Sequence, residues 1–244
     1  MGYETVTAPS NFFYSHSYTS QYGEPFTHTG LLTSLDATDS LTVRAGWDRG
    51  WDNWEDDNSQ LSILFSGTWD NGCGTSIAAN GTSGVEGSRV SGLDGDRTLT
   101  SIVITRDVSD RLTTAVQHDR GFQNNAIVLG QDAEWYGASG YLYYQLNCNW
   151  TLGARGEWFR DDDGFRVQGL RTGNPIQGAQ FAGDFFAASL GLNYRGPGNL
   201  IVRSEIRYDW YDGDANAGAG GARPFDDGAQ NDQLSGGVDL IIEF

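Results

Sequence analysis

The sequence contains no lysine, only two cysteines and one methionine, and its hydrophobic residues amount to 38% without forming a long apolar run. A membrane-spanning helix needs about 20 consecutive, predominantly apolar residues, so the chain is not a helical membrane protein. Acidic residues outnumber basic ones by 32 to 15, which gives a net charge of −17. Since binding to nucleic acid requires a positively charged surface, this charge argues against a nucleic-acid partner.

The two cysteines are too few for a disulfide framework, although they could form one bridge. Cys73 and Cys148 each lie in a short Asn-rich turn, far apart in the order of the chain. We therefore expect two free thiols.

The residues that are present occur in runs with strict alternation. Residues 202–211 place apolar and aromatic side chains on one face, whereas Arg203, Glu205, Arg207 and Asp209 lie on the other. The run 233–244 repeats the pattern and ends in Phe244. Alternation with a period of two over about ten residues, with a terminal aromatic residue, is typical of a transmembrane β-strand.

Eleven such runs follow one another from Phe26 onward. They cover residues 26–35, 41–48, 61–69, 75–82, 97–106, 112–119, 135–146, 150–159, 184–194, 200–211 and 233–244. Short turns and long connectors alternate between the runs, as in outer-membrane barrels with short periplasmic turns and long outer loops. The sequence therefore predicts an all-β fold, a transmembrane antiparallel up-and-down β-barrel, as one domain over residues 1–244.

Residues 1–25 leave two alternatives open. If residues 11–20 form a first strand, the chain has about 12 strands, which satisfies the even number usual for bacterial barrels. If they instead form a loop folded into the pore, the aromatic side chains could stack on sugar rings. The residues of this predicted constriction are Asn11, Phe12, Tyr14, His16 and Tyr18.

Charged and amide side chains share the predicted inner face of the barrel. They are Arg44, Asp48, Gln117, Asp119, Arg155, Glu157, Arg203, Glu205, Arg207, Asp209 and Asp239. An arginine at the bilayer midplane costs about 2–4 kcal/mol, so these side chains must face water or one another. They predict either a charged, water-filled pore or an interior blocked by salt bridges.

Enzymatic chemistry has little support in the sequence. His16 has Ser15, Ser17 and Glu4 as neighbours, but no nucleophile motif surrounds them, and His118 falls on the predicted lipid face. No metal site with specific spacing is present. The acidic stretches 55–57, 161–163 and 209–214 offer oxygen ligands for a loop-bound Ca²⁺, without the twelve-residue spacing of a calcium motif.

Several motifs together resemble one known family. They occupy residues 2–9, 11–18, 24–30, 45–48, 157–164 and 203–210, with the terminal Phe244. These stretches are similar to the OmpL-like outer-membrane β-barrel porins, particularly the planctomycete-type members. The resemblance implies a passive outer-membrane pore without a cofactor. It also implies further strands before the segment that matches Gly2, so this chain is expected to be the C-terminal part of a larger barrel. No signal peptide is visible, and we expect that one has been removed or that the chain begins within a longer product.

The combined prediction is a porin of the bacterial outer membrane, not an enzyme, with the lipid bilayer and small hydrophilic solutes or ions as its partners. Its charged lumen would allow passive diffusion, and homo-oligomerisation is left open. The alternative is a structural or adhesive barrel with a blocked lumen, whose acidic loops carry the function.

Overall fold

A computed structural model describes residues 1–55, 58–88, 90–168, 180–215 and 222–242. The described chain forms eleven β-strands in one sheet, in which each strand pairs antiparallel with its neighbour in sequence. The strands are β1 (Gly30–Thr38), β2 (Leu41–Asp48), β3 (Ser62–Asp70), β4 (Thr75–Gly87), β5 (Asp94–Ser109), β6 (Leu112–Gln123), β7 (Ala133–Gln145), β8 (Trp150–Asp161), β9 (Phe181–Arg195), β10 (Leu200–Ala215) and β11 (Asp232–Ile242). This order is the up-and-down arrangement that the alternating runs predict.

Each of the eleven predicted runs contains a strand, but the strand bounds differ. β4 and β5 continue beyond the predicted runs, so the connector between them is shorter than expected. Residues 11–20 form no strand. The predicted final run extends to Phe244, but residues 243–244 lie outside the described part of the chain, as do Asp56 and Asp57 of the first acidic stretch.

The outer face of the sheet is apolar, because alternate residues of each strand point away from the interior. Ile206, Tyr208 and Trp210 of β10 are exposed, while Arg203, Glu205, Arg207 and Asp209 between them are buried. Exposed apolar side chains of this kind occur on every strand. No helix among the described residues is long and apolar enough to span a membrane.

Aromatic side chains mark both ends of the outer face. At the end with short turns, Trp150 lies opposite Tyr194 in the strand register, and their ring centroids are 4.7 Å apart. At the end with long loops, Phe186 and Trp210 stack with centroids 5.1 Å apart. Aromatic rings at two levels of the outer surface are typical of a barrel wall that meets both membrane interfaces.

The inner face near the long loops carries a hydrophobic core. Trp135, Phe159 and Phe185 are fully buried there. Arg166 from the loop after β8 lies over the Trp51 and Trp135 rings at 4.9 and 5.1 Å. This arrangement fixes the loop against the inner wall, and it shows that inward-facing positions at this end are not all polar.

The two edge strands differ from the rest. Among the described residues, β1 pairs only with β2 and β11 only with β10. Nearly every residue of both strands is exposed or half-buried. Both strands run from the end with long loops towards the end with short turns.

Candidate functional site

Residues 1–29, which we call the lumenal segment, lie on the inner face of the sheet. The segment contains a 3₁₀ turn (Ala8–Ser10) and a π-helical turn (Thr19–Gly23). Three inward amide side chains hold its backbone: Asn80 donates to the Met1 carbonyl, Gln117 accepts from the Tyr3 N–H, and Asn193 donates to the Phe12 carbonyl, at 2.7–2.8 Å. Because these partners come from β4, β6 and β9, the sheet must curve around the segment.

Arg155 on β8 anchors the segment. Its guanidinium lies 2.8 Å from Glu4 Oε1 and 3.1 Å from Glu157 Oε1, and a third carboxylate, that of Glu205, is at 3.4 Å. It also donates to the carbonyl of Ser15 at 2.8 Å. The Arg155 side chain has no exposed surface. A buried cation surrounded by carboxylates holds its partners in place, and its removal would leave those carboxylates uncompensated.

Arg207 on β10 continues this network towards the long loops. It pairs with Glu157 at 2.9 Å and with Asp209 at 2.7 Å, and it donates to the His16 carbonyl at 2.9 Å. Glu157 in turn accepts from the Tyr18 N–H at 2.5 Å. The inner carboxylates and guanidiniums therefore take the place of strand partners for the backbone of residues 15–18.

Arg203 lies on β10, four residues nearer the short turns than Arg207, and it holds the first part of the segment. It donates to the carbonyls of Ala8 and Asn11 at 2.6 Å and to that of Phe13 at 3.2 Å. A bidentate pair with Asp239 on β11 fixes the guanidinium. Such fork geometry is specific to arginine, so lysine could not replace it equivalently.

Glu24, near the C-terminal end of the lumenal segment, is held against the inner face of β6. It accepts from Gln117 Nε2 and, at 3.1 Å, from the Gly2 N–H, while Gln117 also donates to Asp119 at 3.0 Å. Burial raises the pKa of Glu24 well above its ordinary value, and the nearby Asp119 carboxylate raises it further. Glu24 is therefore held where a protonated carboxyl group is favoured.

Arg44 and Asp48 on β2 have different surroundings. Arg44 is half-buried and donates to the Thr68 hydroxyl at 3.4 Å, and no ion pair within the described ranges includes it. Asp48 is buried and accepts from His28 Nδ1 and from the Gly50 N–H. Among the described residues, the lumenal segment therefore binds β2 at Asp48 and makes no hydrogen bond or ion pair with Arg44.

The predicted constriction residues all belong to the lumenal segment, but they do not share one role. Phe12 packs against the Tyr143 ring at 4.8 Å, and Tyr14 is half-exposed beside Gly237. Tyr18 is buried. Asn11 and His16 bond mainly within the segment, at Thr5: Asn11 Nδ2 is 2.7 Å and His16 Nε2 is 3.1 Å from the Thr5 carbonyl.

Four further residues of the segment were not predicted as part of the site. Glu4, Ser15, Ser17 and Glu24 all bond to the inner wall or to one another. Their acidic and hydroxyl side chains match a wall that is rich in arginine. That complementarity is the only signal in the sequence that could have identified them.

Within the described ranges, the histidines and acidic stretches form neither a catalytic triad nor a metal site. Among the described hydrogen bonds, the His16 imidazole contacts Asn11 and Thr5 and no serine hydroxyl, and His118 lies on the outer face. The described residues contain no group of three or more potential metal ligands. Cys73 and Cys148 are free and exposed.

An antiparallel meander with an apolar outer face, aromatic rings at both levels and a charged inner face defines a porin-type β-barrel protein of the outer membrane. A porin structure refined at 1.8 Å resolution is similar to the chain, with a TM-score of 0.51 and 10% sequence identity. The match covers 73% of this chain and 55% of that porin, so the chain spans about half of the porin's length. At this identity, the likeness shows the fold alone.

The sequence itself identifies the family. Residues 1–244 match the family model described as "Putative beta-barrel porin-2, OmpL-like", and the chain belongs to that family. No curated protein matches the sequence. The family is described as a β-barrel porin family, and the fold is that of the porin structure.

Proposed function

We propose that the protein allows passive diffusion of small hydrophilic solutes or ions across the outer membrane, and that the lumenal segment narrows the path. The observation that carries this proposal is the division of the sheet into an apolar outer face and a charged inner face that binds a non-strand segment. In a sheet surrounded by water, exposed apolar side chains on every strand would be unfavourable, whereas in a membrane they contact lipid.

The path would follow the inner wall of β1–β3. There Arg44 and Ser66 lie opposite one another in the register, and none of the described hydrogen bonds or ion pairs joins their side chains to the lumenal segment. Polar side chains in such a wall replace part of the hydration shell of a passing solute. Residues 1–29 would set the width, because they occupy the space in front of β6–β10.

Planar-bilayer recording of the purified, folded protein tests the proposal. We expect an ohmic conductance in concentrated salt, and a larger one after removal of residues 1–28. The double variant Glu4→Gln, Ser15→Ala keeps the chain length and loosens the same contacts, so it controls for misfolding of the shortened chain. Silent bilayers with all three proteins would contradict the proposal.

One observation favours the alternative function, a structural or adhesive barrel with a blocked lumen. The aromatic core around Trp135, Phe159 and Phe185 fills the inner face near the long loops. If that core closes the lumen, the full-length chain conducts nothing, and only variants that thin the core restore a current. The substitution Phe185→Ala distinguishes the two cases. It should produce a current if the core closes the lumen, and it should leave the conductance unchanged if the path follows β1–β3.

A further inference from the structure

A cavity of about 430 Å³ opens in the lumen near the long loops, between the lumenal segment and strands β9–β11. This volume lies within the range of about 300–1,000 Å³ that is usual for small-molecule sites. The cavity borders the space through which a solute would enter. Two of its walls differ in chemistry, and together they indicate what it could bind.

The first wall is aromatic. Tyr18, just before the π-helical turn, and Tyr22 within it stack with centroids 5.9 Å apart and an angle of 22° between their planes. Phe185 of β9 packs against Tyr18 at 5.3 Å, and Phe185, Tyr18 and Phe225 are buried. The half-buried ring of Tyr22 is therefore the aromatic surface that a ligand can reach. Flat aromatic surfaces attract the C–H faces of ring-shaped ligands and exclude water from them.

The second wall is polar, and its described guanidinium and carboxylate groups are paired with one another. Arg207 is neutralised by Glu157 and Asp209, at 2.9 and 2.7 Å. Gln233 donates to Asp209 at 3.2 Å, and Gln21 also lines the cavity. Side-chain amides both donate and accept hydrogen bonds, so they match hydroxyl groups, which do the same.

An ionic ligand fits this chemistry poorly. An anion would need a guanidinium that is not already paired, and a cation would need carboxylates free of Arg207. A ring-shaped ligand with several hydroxyl groups satisfies both walls, one through its C–H face and the other through its hydroxyls. The required ligand is therefore neutral, cyclic and polyhydroxylated.

We infer that this cavity is a binding subsite for a neutral carbohydrate, of the size of one or two sugar rings, at the outer entrance of the lumen. The inference rests on the proposed function in so far as the sugar is a permeating solute. The binding site itself can be tested without any measurement of transport.

Titration calorimetry of the full chain in detergent micelles tests the subsite, with maltose as the probe. Sorbitol is the matched control ligand, because it has the hydroxyl groups of a sugar without the ring. We expect saturable binding of maltose and at least about tenfold weaker binding of sorbitol, as the loss of aromatic stacking implies. Equal binding of the two ligands, or no binding of maltose, would overturn the inference.

Variants locate the binding. Tyr22→Leu keeps the apolar volume and removes the aromatic face, and Gln233→Leu removes an amide on an exposed strand without disturbing the core. Each is expected to weaken maltose binding by about three- to tenfold. Tyr143→Leu, in the separate aromatic group near the short turns, is the control and should leave the affinity unchanged. A loss with Tyr143→Leu alone would place the sugar elsewhere and refute this site.

Conductance measured on the same samples separates the two proposals. If a current is present and maltose does not bind, the subsite is wrong and the porin function stands. If maltose binds without any current, the subsite stands and passive diffusion fails.

Discussion

Arg155 and Arg44 point to the same side of the sheet, yet they lie in opposite surroundings. Arg155 is fully buried among three carboxylates and a carbonyl of the lumenal segment. Arg44 is half-buried and donates to one threonine hydroxyl. The first belongs to a covered wall, formed by β6–β10. The second belongs to an open wall, formed by β1–β3 on the short-turn side of Asp48, the residue at which His28 of the lumenal segment meets β2.

The comparison shows that inward-facing charges on the strands have two different roles. On the covered wall, the guanidiniums and carboxylates compensate one another and bind the backbone of residues 1–29. Under the proposed function, a charge on the open wall faces the space that a solute would occupy. Reversing charges at Arg203 or Arg207 would therefore disturb the lumenal segment before it altered ion selectivity.

The largest effect should follow from Arg155→Met. The substitution leaves the carboxylates of Glu4, Glu157 and Glu205 buried without a cation, which costs about 3–5 kcal/mol of unfolding free energy. Urea unfolding of the protein in lipid vesicles, followed by tryptophan fluorescence, measures this loss. The matched variant Arg44→Met on the open wall should cost no more than about 1 kcal/mol. Similar losses at the two positions would abolish the distinction between the walls.

Two glycines of β8 sharpen the comparison at smaller scale. A Cβ at Gly153 would lie 2.1 Å from the Phe12 ring, whereas a Cβ at Gly156, on the outer face, would meet nothing within 4 Å. We expect Gly153→Ala to displace Phe12 and to destabilise the protein by about 1–3 kcal/mol. Gly156→Ala should be neutral or stabilising by less than about 1 kcal/mol. Urea unfolding measures both changes. An unchanged unfolding free energy for Gly153→Ala would mean that Phe12 is not held against the wall.

Ion selectivity tests the open wall directly. Arg44→Glu places a negative charge where no carboxylate of the described residues pairs with the cation, and we expect the permeability ratio of K⁺ to Cl⁻ to rise about threefold. Reversal potentials in a salt gradient report this ratio. Arg195→Glu, which makes the same change at the exposed end of β9, is the control. An unchanged reversal potential for Arg44→Glu would show that ions do not pass along β1–β3.

The smallest effect concerns pH. Burial and the Asp119 carboxylate raise the pKa of Glu24 in the folded protein. Its contribution to stability is therefore full below about pH 4.3, the ordinary value for glutamate, and is lost as the pH rises through the folded pKa. Hydrogen exchange of residues 1–29 should accelerate from pH 5 to pH 8, beyond the intrinsic change. In Glu24→Gln this additional acceleration should disappear; its persistence would assign the effect to another group.

The strands and their faces could be predicted because alternation is a local property. From residues 202–211 alone, Arg203 to Asp209 are assigned to the inner face, and the register confirms that face for the whole strand. The same parity on β8 assigns Phe159 to the inner face with Arg155 and Glu157. Apolar residues are expected to face lipid, so Phe159 is not predicted as a core residue, although its position in the alternation places it on the inner face.

The binding of the lumenal segment could not be predicted in this way. Tyr18 and Glu157 are 139 residues apart, and Glu4 and Arg155 are 151 residues apart. No local pattern encodes which inner side chain will accept a given N–H from a segment without regular structure. The sequence therefore left a strand and a pore-folded loop as equal alternatives for residues 11–20, and the outcome depended on contacts with distant strands.

The direction of the two edge strands limits how the wall can be completed. Since β1 and β11 point the same way across the membrane, direct contact between them would create a parallel ladder in an otherwise antiparallel wall. A second copy inserted in the same direction would meet either edge in the same parallel fashion. A fully antiparallel wall therefore requires an odd number of strands between β11 and β1. The strand that pairs with β1 must run from the short-turn end towards the long loops.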